Sequence, residues 1–97
     1  MNLSGKTAIV TGASRGIGTY IAQTLSSKGI SIIAITRDKS SLESIKFTID
    51  SNGGTCHIYP FDLKNINALE GLITDIWNQH GPVQVLVNNA GIEYYQH

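Results

Sequence analysis

Four short apolar runs alternate with three stretches of helical periodicity, and glycine or proline marks most of the joints. Lys6 to Thr11 (KTAIVT) is a β-branched run that stops at Gly12. From Gly16 the period changes: Ile17, Ile21 and Leu25 fall at i, i+4 and i+8, one face of a helix, and Gly29 after Lys28 predicts its C′ stop. Ile30 to Thr36 is nearly continuous apolar, as in a parallel strand covered on both faces. Ser40-x-x-Glu43 then has the form of a capping box, Leu42, Ile45 and Ile49 continue at helical spacing, and Asn52-Gly53-Gly54 ends the second helix. Thr55 to Phe61 reads as a third strand, with Pro60 near its end where a missing N–H is tolerable. Asn67-x-x-Glu70 is a second capping signal. Ile66, Leu69, Leu72, Ile73, Ile76 and Trp77 make the strongest amphipathic stripe, which predicts a buried face with Trp77 in it, and Gly81-Pro82 stops the helix. Val83 to Asn88 is a fourth strand. Strand and helix in strict alternation call for a parallel sheet with right-handed crossovers. Asn89 to His97 carry no periodic signal.

The first joint is the most informative. Thr11-Gly12-Ala13-Ser14-Arg15-Gly16-Ile17-Gly18 lies between a strand and a helix, where a doubly wound sheet binds a dinucleotide. Each glycine has a physical reason there. Gly12 gives the chain freedom to turn out of the strand. A side chain at Gly16 would obstruct the approach of a pyrophosphate, and Gly18 lets the helix lie close to the strand. The helix N-terminus adds unpaired N–H groups and the positive end of a dipole. The spacing is G-x-x-x-G-x-G. It is neither the G-x-G-x-x-G pattern nor a P-loop, since no G-K-[ST] follows. A plain strand-to-helix turn would also use glycine, and the placement is what favours the dinucleotide.

Composition narrows the classes. Seven Lys and Arg balance seven Asp and Glu in 97 residues, which excludes a strongly basic nucleic-acid surface. The 41% hydrophobic content is too high for a disordered chain. No apolar run approaches the roughly 20 residues of a membrane span, and no charged leader precedes an apolar stretch. The expectation is a cytoplasmic protein with no membrane or nucleic-acid partner. One cysteine, Cys56, excludes an internal disulfide and a multi-cysteine zinc site; it reads as an inert, half-buried strand residue. His57, His80 and His97 lack metal-ligand spacing and read as surface positions.

TGASRGIG resembles the cofactor motif of the short-chain dehydrogenase/reductase family, and Asn88-Asn89-Ala90-Gly91 is similar to that family's second motif, after the fourth strand. The resemblance runs from Leu3-Ser4-Gly5-Lys6 to Gly91 and is nearest to 3-oxoacyl-carrier-protein reductases. It implies a Rossmann-type α/β fold, a doubly wound parallel sheet truncated after the fourth strand in the order 3-2-1-4, with residues 1–97 forming the N-terminal portion of an NADP-binding domain. It implies an NAD(P)-dependent oxidoreductase that acts on a small-molecule carbonyl or alcohol. The cofactor-binding positions it implies are Gly12, Ser14, Arg15, Gly16, Ile17, Gly18, Arg37, Asp62, Leu63, Asn89, Ala90 and Gly91. Asp62 would hold the adenine amino group and Leu63 would flank the ring, although Asp62 also suits a helix cap. Asn89, Ala90 and Gly91 would line the nicotinamide side, and Asn88 would tie neighbouring strands.

The end of the second strand bears on cofactor choice. An acid there accepts from the adenosine ribose and favours NAD, whereas a base pairs with a 2′-phosphate and favours NADP. In the family the acid stands at the position of Thr36, and it is missing here. Arg37 follows, where a guanidinium can fork onto a phosphate, and Arg15 is a second cation. Together they point to NADP ahead of NAD. Asp38 could serve the ribose, which would reopen NAD; starting the next helix or pairing with Arg37 suits it better, because acids suit the first turn.

The family's catalysis uses a tyrosine, a lysine four residues later and a serine, all downstream of the second motif. Here Thr24 follows Tyr20 by four and Leu63 follows Tyr59 by four, and the last lysine is Lys64. No catalytic residue is therefore assigned, and the 97 residues alone are expected to be inactive. The alternatives are a non-catalytic nucleotide-binding module or a non-functional truncation product. The fourth strand would be an exposed apolar edge, the first two helices would cover one face of the sheet and the third the other, and a homo-oligomer fits the family.

Overall fold

The computed structural model describes residues 3–12 and 16–88. Seven elements alternate as the sequence predicts: β1 (Thr7–Thr11), α1 (Gly16–Ser27), β2 (Ser31–Thr36), α2 (Lys39–Ser51), β3 (Cys56–Pro60), α3 (Ile66–His80) and β4 (Val85–Asn88). The strands form one parallel sheet in the order β3-β2-β1-β4, the order the sequence implies. The chain steps outward from β1 through β2 to β3, then returns to the other side of β1 as β4. β1 and β4 thus flank the point where the strand order reverses, which is where open α/β sheets bind ligands.

Period-2 alternation divides the apolar residues between two cores. Ala8, Val10, Ile32, Ala34 and Cys56 pack with Ala22 of α1 and with Leu42, Ile45 and Ile49 of α2. Ile9, Ile33 and Ile35 face the other way and pack with Ile76 of α3. The first two helices therefore cover one face and the third covers the other. Ile32, Ile33, Ala34 and Ile35 are all fully buried, because β2 is central and covered on both sides.

Several local expectations shift. In α1 the buried row is Gly18 and Ala22, not Ile17 and Ile21: small residues let the helix lie close to the sheet, while Ile17 stays 68% exposed. The cap of α2 is Asp38, two residues before the expected Ser40; its carboxylate accepts from the Ser41 N–H at 3.3 Å. An acid just ahead of the first turn competes well for that position. The cap of α3 is Asn65, so Asn67 lies inside the helix. The α3 stripe is buried only at Ile76. Ile66 is 74% exposed and Trp77 52%, which corrects the expected core placement of Trp77. A sheet four strands wide offers α3 one short row of isoleucines, too narrow to cover six apolar side chains. β4 is an apolar edge, with Leu86 exposed.

The stop of α1 follows the sequence. Gly29 adopts φ +84°, a left-handed conformation that suits glycine at C′. Its N–H donates to the Ser26 carbonyl at 2.9 Å and the Ile30 N–H to the Leu25 carbonyl at 3.3 Å.

Candidate functional site: the carboxyl edge of the sheet

Register lines up the strand ends. Thr11 lies opposite both Ile35 and Asn88, and Thr36 lies opposite Pro60. Each candidate residue group follows one of these ends in sequence, and the described candidates Gly12, Gly16 to Gly18, Arg37, Asp62 and Leu63 come after the ends of β1, β2 and β3. Ser14, Arg15, Asn89, Ala90 and Gly91 lie outside the described residues.

Gly12 leaves β1 with φ +67°, a turn that costs a side chain conformational strain. Its N–H donates to the Ile35 carbonyl at 3.0 Å, which carries the β1–β2 ladder past the strand end. Gly16 opens α1. Its φ is not positive, and no described atom stands within 4 Å of where a Cβ would be. Neither conformation nor packing within the described residues calls for glycine there, and among them there is room for an outside group to approach. The first turn of α1 carries no acidic side chain, so no carboxylate there offsets the helix dipole that favours an anion. Gly18 is buried in the same row as Ala22, while the exposed Ile17 offers an apolar surface at the first turn. These residues fit a dinucleotide pyrophosphate.

The end of β2 separates a base from an acid. Arg37 is exposed, and among the described residues no carboxylate lies within ion-pair distance of it. Asp38 is engaged elsewhere: it accepts from Ser40 Oγ at 2.9 Å and from Ser41 Oγ at 2.6 Å. Those hydroxyls, with the Ser41 N–H, hold its carboxyl below the usual carboxylate range. Of the roles offered to Asp38, starting the next helix is the one observed, and no pairing with Arg37 is formed.

The end of β3 is extended by the Phe61 N–H, which donates to the Thr36 carbonyl at 2.8 Å. Asp62 is exposed, and its Oδ1 accepts from the Lys64 N–H at 2.9 Å. This tight turn aligns the loop before α3 and leaves Oδ2 without a partner among the described residues. Leu63 is half-buried and packs against the Ile9, Ile33, Ile35 and Ile76 cluster. Between β1 and β4, the nearly buried Thr11 hydroxyl reaches Asn88 Oδ1 at 3.1 Å and the Val87 carbonyl at 3.3 Å. Asn88 thus ties neighbouring strands, as its position predicts. The partner Thr11 was not legible in sequence, because the two residues are 77 apart.

Cys56 is fully buried rather than half-buried, and burial pushes its thiol up to about 11. Burial and the raised thiol fit the expectation of an unreactive residue. No group of three or more His, Cys, Asp or Glu able to hold a metal occurs among the described residues. No described helix is long and apolar enough to cross a membrane.

The family model for short chain dehydrogenase matches residues 6–97. The chain belongs to this family. It is 40% identical over 91 residues to the ketoacyl reductase HetN of Nostoc sp., covering 94% of this chain and 32% of that protein. It is 39% identical over 92 residues to the 3-oxoacyl-(acyl-carrier-protein) reductase FabG of Vibrio cholerae, covering 95% and 36%. The chain therefore spans about a third of the length of these curated relatives. Among solved structures, a metagenomic short-chain oxidoreductase in complex with NADP superimposes with a TM-score of 0.84 at 37% identity, covering 89% of this chain and 39% of the other. Actinorhodin polyketide ketoreductase with NADPH gives 0.81 at 30% identity, covering 92% and 34%.

Proposed function

We propose that this chain is the NADP-binding portion of a short-chain dehydrogenase/reductase whose whole protein reduces a carbonyl or oxidises a secondary alcohol. The observation that carries the reading is the β1–α1 joint. Gly12 turns at positive φ beside the strand-order reversal, and Gly16 meets no described atom at a helix N-terminus without acidic side chains. When bound, the nicotinamide cofactor supplies or accepts the hydride. This chain's own residues bind and orient it: α1's first N–H groups hold the diphosphate, Ile17 packs against it, and Asp62 Oδ2 accepts from the adenine amino group while Leu63 flanks the ring. Ser14 and Arg15 add a hydroxyl and a cation beside the phosphates, and Asn89, Ala90 and Gly91 line the nicotinamide side.

NADP is preferred over NAD for an electrostatic reason. Arg37 is a cation with no ion-pair partner among the described residues, and the nearest acid, Asp38, is spent on capping α2. A 2′-phosphate gains a charge-assisted fork from the first and meets little competition from the second. No tyrosine in the chain precedes a lysine by four residues, so the 97 residues bind cofactor without turning substrate over. The solved NADP and NADPH complexes of similar proteins support the cofactor.

Replacing Arg37 with Glu tests the assignment. The expected result is at least a tenfold fall in the affinity ratio of NADPH to NADH, measured by calorimetric titration, with thermal stability unchanged because Arg37 is exposed and without an ion pair among the described residues. An unchanged ratio would overturn Arg37 as the phosphate partner.

A further inference from the structure

A second polar cluster lies away from the carboxyl edge, where α3 ends over strand β3. Cys56 belongs to the core beneath α1 and α2, and strand alternation turns His57 and Tyr59 to the α3 side. They sit in register with Ile33 and Ile35, which pack with Ile76 of α3. The rings of His57 and His80 lie 4.2 Å apart between centroids, tilted by 34°. The Tyr59 hydroxyl is 2.6 Å from His80 Nε2 and donates to Gln79 Oε1 at 3.1 Å.

A phenol has one proton. Both Tyr59 contacts are made together when His80 Nε2 carries hydrogen and donates to the Tyr59 oxygen. That arrangement is the same whether Nδ1 of His80 is bare or protonated, so one positive charge on the histidine pair breaks no hydrogen bond. Two charges are different, because two imidazolium rings stacked at this distance in a half-buried site repel.

The surrounding charges do not relieve that repulsion. From α2, Lys46 and Asp50 form an ion pair at 3.0 Å and act on His57 with opposite sign. From α3, Asp75 acts on Tyr59 and His80 acts on His57. β2 contributes no ionisable side chain. Burial, then His80, then Lys46 hold the His57 imidazole below its ordinary 6.5. Among the described residues, the rest of the hold on α3 is the buried Ile76 and the half-buried Leu72 beside it.

We propose that His57, Tyr59, Gln79 and His80 form an acid-released latch, fastening α3 to β3 at neutral pH and opening when both imidazoles are charged. The sign follows from linkage: the folded His57 binds its proton less readily than the unfolded one, so the open or unfolded chain takes up more protons. The contribution of the latch is present above pH 6.5 and is lost as pH falls through the lower folded value. Release loosens the crossover whose other end carries Asp62 and Leu63.

The test is amide hydrogen exchange of the 97-residue chain, followed by NMR and corrected for intrinsic rates, at about pH 7.5 and about pH 5.5, either side of histidine titration. Amides of the last two turns of α3 should lose about tenfold in protection relative to those of β1 and β2, which corresponds to about 1.4 kcal/mol in the local opening equilibrium. His57→Phe keeps a ring and removes its charge; His80→Gln keeps a donor for Tyr59 and removes the other. Each should cut the loss to less than about twofold, and either variant suffices if the other does not fold. A wild-type chain with no selective loss in α3, or variants that lose protection as the wild type does, would overturn the latch.

Discussion

Gly16→Ala separates a glycine required by the protein from one required by a ligand. The backbone there is helical, and an added Cβ meets no described atom within 4 Å. Within a helix, alanine is favoured over glycine by up to about 1 kcal/mol, and less at the first position, where the turn is only half formed. For a domain of this size 1 kcal/mol moves the melting midpoint by about 4–8 °C. The substitution should therefore leave Tm unchanged or raise it by a few degrees. The same methyl would stand where the diphosphate approaches. Forcing an extra methyl into a fitted contact costs about 1–3 kcal/mol, a factor of about 5 to 150 in affinity. Differential scanning fluorimetry and calorimetric titration with NADPH read the two effects on one preparation. Stability held or gained with affinity lost is the expected pair. A drop in Tm of several degrees would place the need for glycine in the fold, and unchanged affinity would remove the diphosphate from this joint.

Two further substitutions or probes address the fold itself. Gly29→Ala forces a side chain into φ +84°, and its Cβ would lie 2.7 Å from Ser4 Oγ. The expected cost is about 1–3 kcal/mol, read as a lower urea midpoint at unchanged slope. An unaltered midpoint would mean that the turn can relax. Cys56, with its thiol pushed up to about 11 against an ordinary 9.0, should resist a disulfide-exchange reagent at about pH 8 and react at once in urea. Because the folded thiol holds its proton more tightly, stability should fall as pH rises from 9.0 towards 11, and a Cys56→Ala chain should lack that component of the fall.

The sequence made the architecture legible because its signals are local. Strand and helix periods differ, and Gly29 and Gly81-Pro82 mark stops within one turn of the residues they act on. The strand before the glycine loop and the helix after it were legible for the same reason. What escaped was set by distance or by competition. Asp38 and Ser40 both make good caps, and only the folded turn shows that Asp38 takes the role and draws both serine hydroxyls to itself. The α3 stripe reads as a full buried face, yet burial depends on how wide a sheet it meets, which no helix encodes. His57 and His80 read as separate surface positions, and Tyr59 carried no role of its own. Alternation alone places His57 and Tyr59 on one face, but that the end of α3 lands on them is a property of the assembled crossover.

The central claim is that main-chain N–H groups at the β1–α1 joint hold a diphosphate. Titrating 15N-labelled chain with NADPH and following the backbone amide resonances tests it at the residues concerned. Saturable shifts that are largest at Gly12 and Gly16 to Gly18, with weaker binding of NADH at the same amides, are predicted. Binding whose largest shifts fall elsewhere, or no saturable shift at these glycines at millimolar-scale NADPH, a concentration where even weak ligands register, would contradict it.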